Sequence, residues 1–577
     1  MKISKTLFKE LIRCESYYSL NKLYEEKRNA SFVNGSLFDL QKYLDEMIDK
    51  NTYENKLENP MKEYEQEQFA ETERVLIKYA NKILKTNLKA GSLAEQKEVV
   101  YHDQEGNTFY TKIDGYQETI NEIIVLEAKA TTTNKFIDEK KPFFEKEESI
   151  LRLKERSELE TEDEIETYDK FLVDQVFNPT SALGKYIFDG LYTYWLVTKN
   201  NPHLKKISFY LAFLNHEYTL DLNRATVDDP YPYVEGKGEI VTLLEMGQFY
   251  NEYLYLLEAE VKKIQSAIKQ NVFIQPEIDS KCKRNDNSEE CLFCPVCYAY
   301  LENIPGSALY FAGKKKYKDI LEGKITMDMY SDSELTSVLH KIQREAFIKD
   351  EQHINKEAIK KWLDKLEYPI YYLDFETLSS PLPRFQDETP YMQSVFQFSL
   401  HTELSKDALK DINENHYSFL VPDFGDHREE CVKALIKEID LKNGGTVLVY
   451  NDTFEKSRIK EFAEIFPQYE KELLKIRDNI VDLMDAFKRK INNKTQVFFY
   501  DNKLQGSYSI KKVLPVFAPE LSYKDLEIQE GMMAQEAYYS FPKLDEEDLE
   551  EVRKNLEEYC KLDTWSMVLI VHALSKL

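Results

Sequence analysis

Seven residues constrain this chain more than any others: Tyr371 to Thr377, reading YYLDFET. Two large β-formers and a leucine lead into Asp374 and Glu376. These acids are two positions apart, so in a strand both carboxylates fall on one face. Carboxylates held close together on a covered face lose hydration and repel each other, an arrangement that needs a cation between them. A divalent metal with oxygen ligands is the usual solution. An isolated D-x-E at a strand end facing water needs no ion, so the weight of the motif depends on the rest of the chain.

The C-terminal part supplies companions. FQFSLHT at 396–402 reads as a second strand and a third is expected before Phe419. The apolar run TVLVY then reaches Tyr450 and gives way to a helix within NDTFEKSRIKEFAEIF. Asn451 and Glu455 stand at that switch, which puts Glu455 within reach of a metal held by Asp374 and Glu376. Asp452 and Asp482 are its nearest rivals, although Asp482 in VDLMDAF reads as a helix start. The last helical run, EEDLEEVRKNLEEYCKLDTWSMVLIVHAL, carries Tyr559 and Asp563, which at i,i+4 share one face.

D-x-E, N-x-x-F-E and Y-x-x-x-D, in this order on strand, helix start and helix, resemble the tyrosine branch of the DEDD exonucleases on the ribonuclease H-like fold. The resemblance covers residues 367–577. It implies that Asp374, Glu376 and Asp563 hold Mg²⁺ or Mn²⁺ and that Tyr559 orients the attacking water. Glu455 stands where the family has an aspartate, one methylene shorter.

The first half reads differently. Ser4 to Leu23 has helical spacing and carries Cys14; GSLFD at 35–39 enters a further amphipathic helix through Leu40, Tyr43, Leu44 and Met47. Residues 99–102, 108–116 and 123–130 read as a strand meander with DQEGN and QETINE as turns. Asp114 lies near the end of one strand; Glu127 and Lys129, two residues apart in IIVLEAKA, share a face of the next. An acid pair can hold a divalent metal while the ammonium orients or activates water. Residues 135–185, rich in Glu and Lys, read as an inserted, solvated helical region.

This D…E-x-K pattern resembles the PD-(D/E)xK nucleases, in particular their RecB-like exonuclease branch. Two positions depart from that pattern: Asp39 replaces a histidine, and Gly190, four residues before Tyr194, replaces a glutamine. Five of the seven cysteines are Cys14, Cys282, Cys291, Cys294 and Cys297, the last four within KCKRNDNSEECLFCPVC. Such a cluster reads as metal ligation, by zinc or iron–sulfur. The RecB-like resemblance implies a [4Fe–4S] cluster, with Cys14, Cys282, Cys291 and Cys297 as ligands and Cys294 spare. The run C-x-x-C-x-x-C at 291–297 leaves other choices open. YPIYYLDFET, TPYMQSVFQFSLH, VYNDTFE and GSYSIKKVLP, joined to the cysteine-bearing half, also resemble the bacterial family called domain of unknown function 2779.

Bulk properties set the frame. At 577 residues two or three domains are expected: 1–304 as a PD-(D/E)xK restriction-endonuclease-like domain, 305–366 as a helical connector and 367–577 as a ribonuclease H-like domain, an α/β multidomain chain. His340 and His353 in the connector read as surface residues. No apolar run spans a bilayer and the N-terminus lacks the pattern of a secretory signal, so the expectation is a cytoplasmic protein without membrane contact. A net charge of −26 argues against indiscriminate coating of nucleic acid, and leaves any strand contact to local patches such as Lys314, Lys315, Lys316 and Lys318. The expected function is a metal-dependent nuclease, a 3′-directed exonuclease in its C-terminal domain with a second RecB-like nuclease or DNA-binding module at the N-terminus, acting on single-stranded DNA in preference to RNA. The alternative is a non-catalytic iron–sulfur scaffold that binds nucleic acid beside a helicase or defence partner.

Overall fold

The computed structural model describes the whole chain except residues 30–59, 91–95, 138–141, 202, 204, 271–276, 280, 283–290, 303, 312–314 and 493. Asp39 and the helix expected after it lie outside the described residues, as does Lys314. The architecture is mixed α/β with several sheets, in two compact units: Met1–Ala299 with Ser380–Met392, and Tyr300–Ser379 with Gln393–Leu577. Residues 305–366 therefore cluster with the second unit instead of standing apart as a connector. Within it, β11 (His353–Ile354) pairs with the strand Phe499–Tyr500. Among the described residues, no helix is long and apolar enough to cross a membrane.

The first unit is built on two sheets. β1 (Lys2–Ser4), β4 (Thr108–Ile113) and β3 (Lys97–His102) form the smaller. The larger has the order β2-β5-β6-β9-β10-β8-β7, with β2 at Lys89–Ala90, β5 at Gly115–Glu118, β6 at Glu122–Thr132, β7 at Phe144–Glu147, β8 at Ile150–Leu153, β9 at Lys206–Leu214 and β10 at Val241–Glu245. The expected meander is thus broken at Asp114, where the chain leaves β4 for β5 in the other sheet. Alternate side chains of the larger sheet feed two cores. Val125, Leu211 and Phe213 join one with the helices Lys5–Arg13 (α1), Gly184–Lys199 (α2) and Gly247–Gln270 (α3); Leu126, Ala212 and Leu214 join the other with Val75, Leu76 and Tyr79. Both faces are covered, so its central strands read as nearly unbroken apolar runs.

Residues 135–185 are only partly helical and are packed into the unit, not a solvated insert. They supply β7 and β8 to the sheet edge and bury Phe136, Phe143, Leu151, Tyr168, Phe171 and Val176. The aromatic residues drive the packing, while Glu and Lys occupy the outward positions.

In the second unit the sheet order is β14-β13-β12-β15-β16: β12 (Ile370–Ser379), β13 (Gln393–Glu403), β14 (His416–Leu420), β15 (Thr446–Val449) and β16 (Ile480–Asp482). β12 pairs antiparallel with β13 and parallel with β15. Tyr371, Leu373 and Phe375 enter an apolar core with Val447, Ile459 and Phe462. Tyr372, Asp374 and Glu376 take the other face, on which the long helix Glu546–Leu574 packs.

Candidate functional site

Asp374, Glu376 and Asp563 each present an oxygen within 4.8 Å of the others. β12 places the first two by its period of two, opposite Ser399 and Gln397 of β13. The terminal helix, capped at its start by Asp545, places the third. Glu376 and Asp563 are buried and Asp374 is partly so. Full charges at such separations repel by roughly 3 kcal/mol per pair at the effective dielectric near a protein surface. Burial, then the charge of Asp563, pushes Asp374 and Glu376 well above the carboxylate range. Burial raises Asp563 to about 6.

Glu455 sits in the first turn of the helix Thr453–Ile465, buried, and its charge is felt by Asp374 and Glu376. Burial raises it to about 8, and its Oε2 has no hydrogen-bond partner. Asp374, Glu376 and Asp563 are a donor set that fits Mg²⁺ or Mn²⁺; Glu455 lies outside their 4.8 Å group and is tied to it by its charge and by its orphaned, buried oxygen alone. The rivals are engaged elsewhere. Asp482 accepts from the amides of Asn451 and Met484, both at 2.9 Å, and Asp452 pairs with Lys456.

Tyr559 is buried one helical turn before Asp563, close enough for its hydroxyl to offset part of the rise that burial imposes on that acid. The sequence did not single out three further neighbours. Tyr523 donates to Asp563 Oδ1 at 2.7 Å, Cys560 Sγ lies 3.5 Å from Asp374 Oδ2, and the charge of Lys511 is felt by Glu376 and Asp563. Tyr523 opens a short 3-10 turn, Tyr523–Asp525, 40 residues before its partner, and no period or spacing marks it. Cys560 alone had a signal, its place between Tyr559 and Asp563.

The first unit holds a different centre. The β5–β6 register sets Asp114 beside Glu127, and Asp114 Oδ2 accepts from the Ala128 amide at 2.8 Å. Both Glu127 oxygens are engaged. Oε1 accepts from Thr193 Oγ1 at 2.8 Å, and Oε2 lies 2.6 Å from Lys5 Nζ and 3.3 Å from Lys129 Nζ. Lys129 also reaches Asp189 at 2.9 Å, and Lys9 reaches it at 2.8 Å. Burial and the charge of Glu127 raise Asp114 to about 7; burial acts on Glu127 too, but Lys5 and Lys129 outweigh it and hold Glu127 below the usual range. Lys5, Lys9 and Asp189 were not in the expected set. Gly190 cannot carry a side chain here, because a Cβ would lie 2.2 Å from the buried Tyr250 hydroxyl. The neighbouring Asp189 is the residue of this helix turn that pairs with Lys9 and Lys129.

Cys14, Cys282, Cys291, Cys294 and Cys297 line one cavity of about 370 Å³. Cys14 caps the C-terminus of α1, and Arg13 donates to the carbonyls of Lys281 and Cys282, which ties the first helix to the cysteine-rich segment. Hydrogen bonding from Cys294 lowers the Cys291 thiol to about 7, and Cys294 Sγ also lies 3.1 Å from the Cys282 carbonyl. Burial raises Cys297 to about 12; the charges of Cys291, Cys282 and Cys14 add to it. Five thiols around one cavity are a soft donor set of the type iron–sulfur or zinc takes, although among the described residues no three of them gather within 4.8 Å of one another. Of the lysine patch, Lys316 donates to the Leu309 carbonyl and Lys318 pairs with Glu322.

Residues 371–509 match the family model described as "Domain of unknown function (DUF2779)", the family whose resemblance the sequence motifs carry. Among curated relatives, "Uncharacterized protein UU173" of Ureaplasma parvum is 29% identical over 227 residues, 37% of this chain and 32% of that protein. "Uncharacterized protein MG366" of Mycoplasma genitalium is 30% identical over 225 residues, 37% of this chain and 33% of that protein. The chain thus spans about a third of the length of the curated relatives it matches. No solved structure matches it.

Proposed function

We propose that the second unit is a metal-dependent nuclease of the DEDD type on a ribonuclease H-like fold, removing nucleotides from a 3′ end. The observation that carries this reading is the meeting of Asp374, Glu376 and Asp563 within 4.8 Å, with the unpartnered Glu455 Oε2 nearby. Asp374, Glu376, Glu455 and Asp563 would hold Mg²⁺ or Mn²⁺. The cations supply Lewis acidity and an activated water for phosphodiester hydrolysis. Tyr559 orients that water, and Tyr523 fixes the rotamer of Asp563 by holding its Oδ1. Asp374→Ala in the full chain, assayed on labelled single-stranded DNA and RNA in Mg²⁺ and Mn²⁺, should abolish degradation; unchanged degradation contradicts the reading.

For the first unit, a PD-(D/E)xK fold in the RecB-like manner is the proposal, with Asp114, Glu127 and Lys129 at its centre. The engagement of both Glu127 oxygens by Thr193, Lys5 and Lys129 favours a nucleic-acid-binding role over catalysis there. Asp114→Ala should then leave degradation intact. Cys14, Cys282, Cys291 and Cys297 would hold a [4Fe–4S] cluster as a staple between the first helix and the end of the unit. Protein purified without oxygen should be brown, and Cys294→Ala should keep the colour that Cys297→Ala loses; colourless protein with stoichiometric zinc contradicts the assignment.

A further inference from the structure

We infer that Lys511 is a substrate-binding residue of the second unit, its ammonium gripping a phosphate oxygen of the nucleic-acid strand beside the carboxylates. The inference rests on the nuclease reading above and adds the group that meets the substrate's own negative charge.

Lys511 lies in the first turn of the helix Ile510–Phe517 and is half-buried. Its Nζ donates to the Gln529 carbonyl at 2.7 Å and lies 5.5 Å and 5.7 Å from the ring centroids of Tyr523 and Tyr559. These are the tyrosines that flank Asp563. A carbonyl and two ring faces thus cradle the ammonium, each favourable to a cation without neutralising it. An ammonium carries three donors, and the Gln529 carbonyl takes one.

No carboxylate lies within ion-pair distance of Lys511 among the described residues. Its charge nevertheless draws down Glu376 and Asp563, so it lies near the acids without touching them. The segment that holds it is also close: a Cβ on Gly531, two residues past Gln529, would lie 3.7 Å from Glu376 Oε2. The helix Gly531–Ser540 starts at that point, its Glu530 cap making no side-chain hydrogen bond.

A phosphodiester approaching the carboxylates brings negative charge to a site that already has an excess. Cations held by the acids would offset part of it, and an uncommitted ammonium at the rim would offset more while fixing the strand's position. A lysine whose role was to neutralise the acids would form an ion pair with one of them, as Lys5, Lys9 and Lys129 do in the first unit.

The test is binding of single-stranded oligodeoxyribonucleotides and oligoribonucleotides of equal length to the full chain in Ca²⁺, over a range of salt. Lys511→Met, which keeps the stem between the tyrosine rings, should weaken binding about tenfold. It should also reduce the slope of log K against log salt by about 0.7, the loss of one phosphate contact on a single strand. Lys511→Arg should restore most of both. Mn²⁺ affinity, measured by electron paramagnetic resonance, should not fall in Lys511→Met, since that change removes a positive charge from the metal's surroundings. Unchanged binding and slope, or a parallel loss of Mn²⁺ affinity, would overturn the assignment. Hydrolysis of the same oligonucleotides by the unaltered protein in Mn²⁺ separates the two readings. An inactive protein overturns the nuclease reading together with this one; an active protein indifferent to Lys511→Met overturns the role of the lysine alone.

Discussion

The two carboxylate centres of this protein solve the same electrostatic problem in opposite ways. In the first unit, Glu127 and Asp189 are met by Lys5, Lys9 and Lys129 at ion-pair distance and are held below the usual carboxylate range, while Asp114 beside them is pushed up to about 7. In the second, Asp374, Glu376 and Asp563 crowd together with no cationic side chain at ion-pair distance among the described residues, and all three are pushed up. A buried acid with its own lysine has its charge balanced by the fold. A buried acid group without one is left to bind protons or a metal. Reading acids alone would have ranked the two centres equally; it is the lysines that separate them.

The contrast can be broken by substitution. The largest effect should come from Asp374→Asn, which should lower hydrolysis by three orders of magnitude or more, while Asp114→Asn leaves it near the starting rate; single-turnover assays in Mn²⁺ decide this. Next, Lys5→Met should destabilise the first unit by about 2 kcal/mol, because it strips a partner from the fully buried Glu127, and denaturant titration measures it. Lys511→Met, by comparison, should leave unfolding almost unaffected. Third, Tyr523→Phe frees Asp563 Oδ1 and should weaken Mn²⁺ binding about tenfold without unfolding the protein.

The smallest effect is a pH dependence. Burial pushes Asp563 up to about 6 and Glu455 up to about 8, and Asp114 of the first unit up to about 7, all above their ordinary values. The folded acids therefore bind protons that the unfolded chain has already released, so stability falls as pH rises through this window. Metal-free protein should lose melting temperature between about pH 5 and 8, and Mn²⁺ should recover it most at the upper end. A melting temperature that rises across this range would show that the acids are already compensated.

Much of this site was legible because it is local. The period of two fixed Asp374 and Glu376 on one face, and i,i+4 spacing fixed Tyr559 and Asp563. The partners that set their chemistry are remote. Tyr523 and Lys511 reach the acids through tertiary packing, and Lys5 meets Glu127 across 122 residues. Composition also misled at 135–185, where abundant Glu and Lys concealed Phe143, Leu151 and Phe171, which enter the core. At Gly190 the position expected for a glutamine is filled by Tyr250 from a later helix, a contact that spacing around Tyr194 does not foretell.

Mn²⁺ binding to the full chain at pH 8, followed by electron paramagnetic resonance, tests the central claim most directly. The account predicts that the unaltered protein and Asp114→Asn bind the ion alike and that Asp374→Asn loses it. Binding that survives Asp374→Asn and disappears in Asp114→Asn would contradict it.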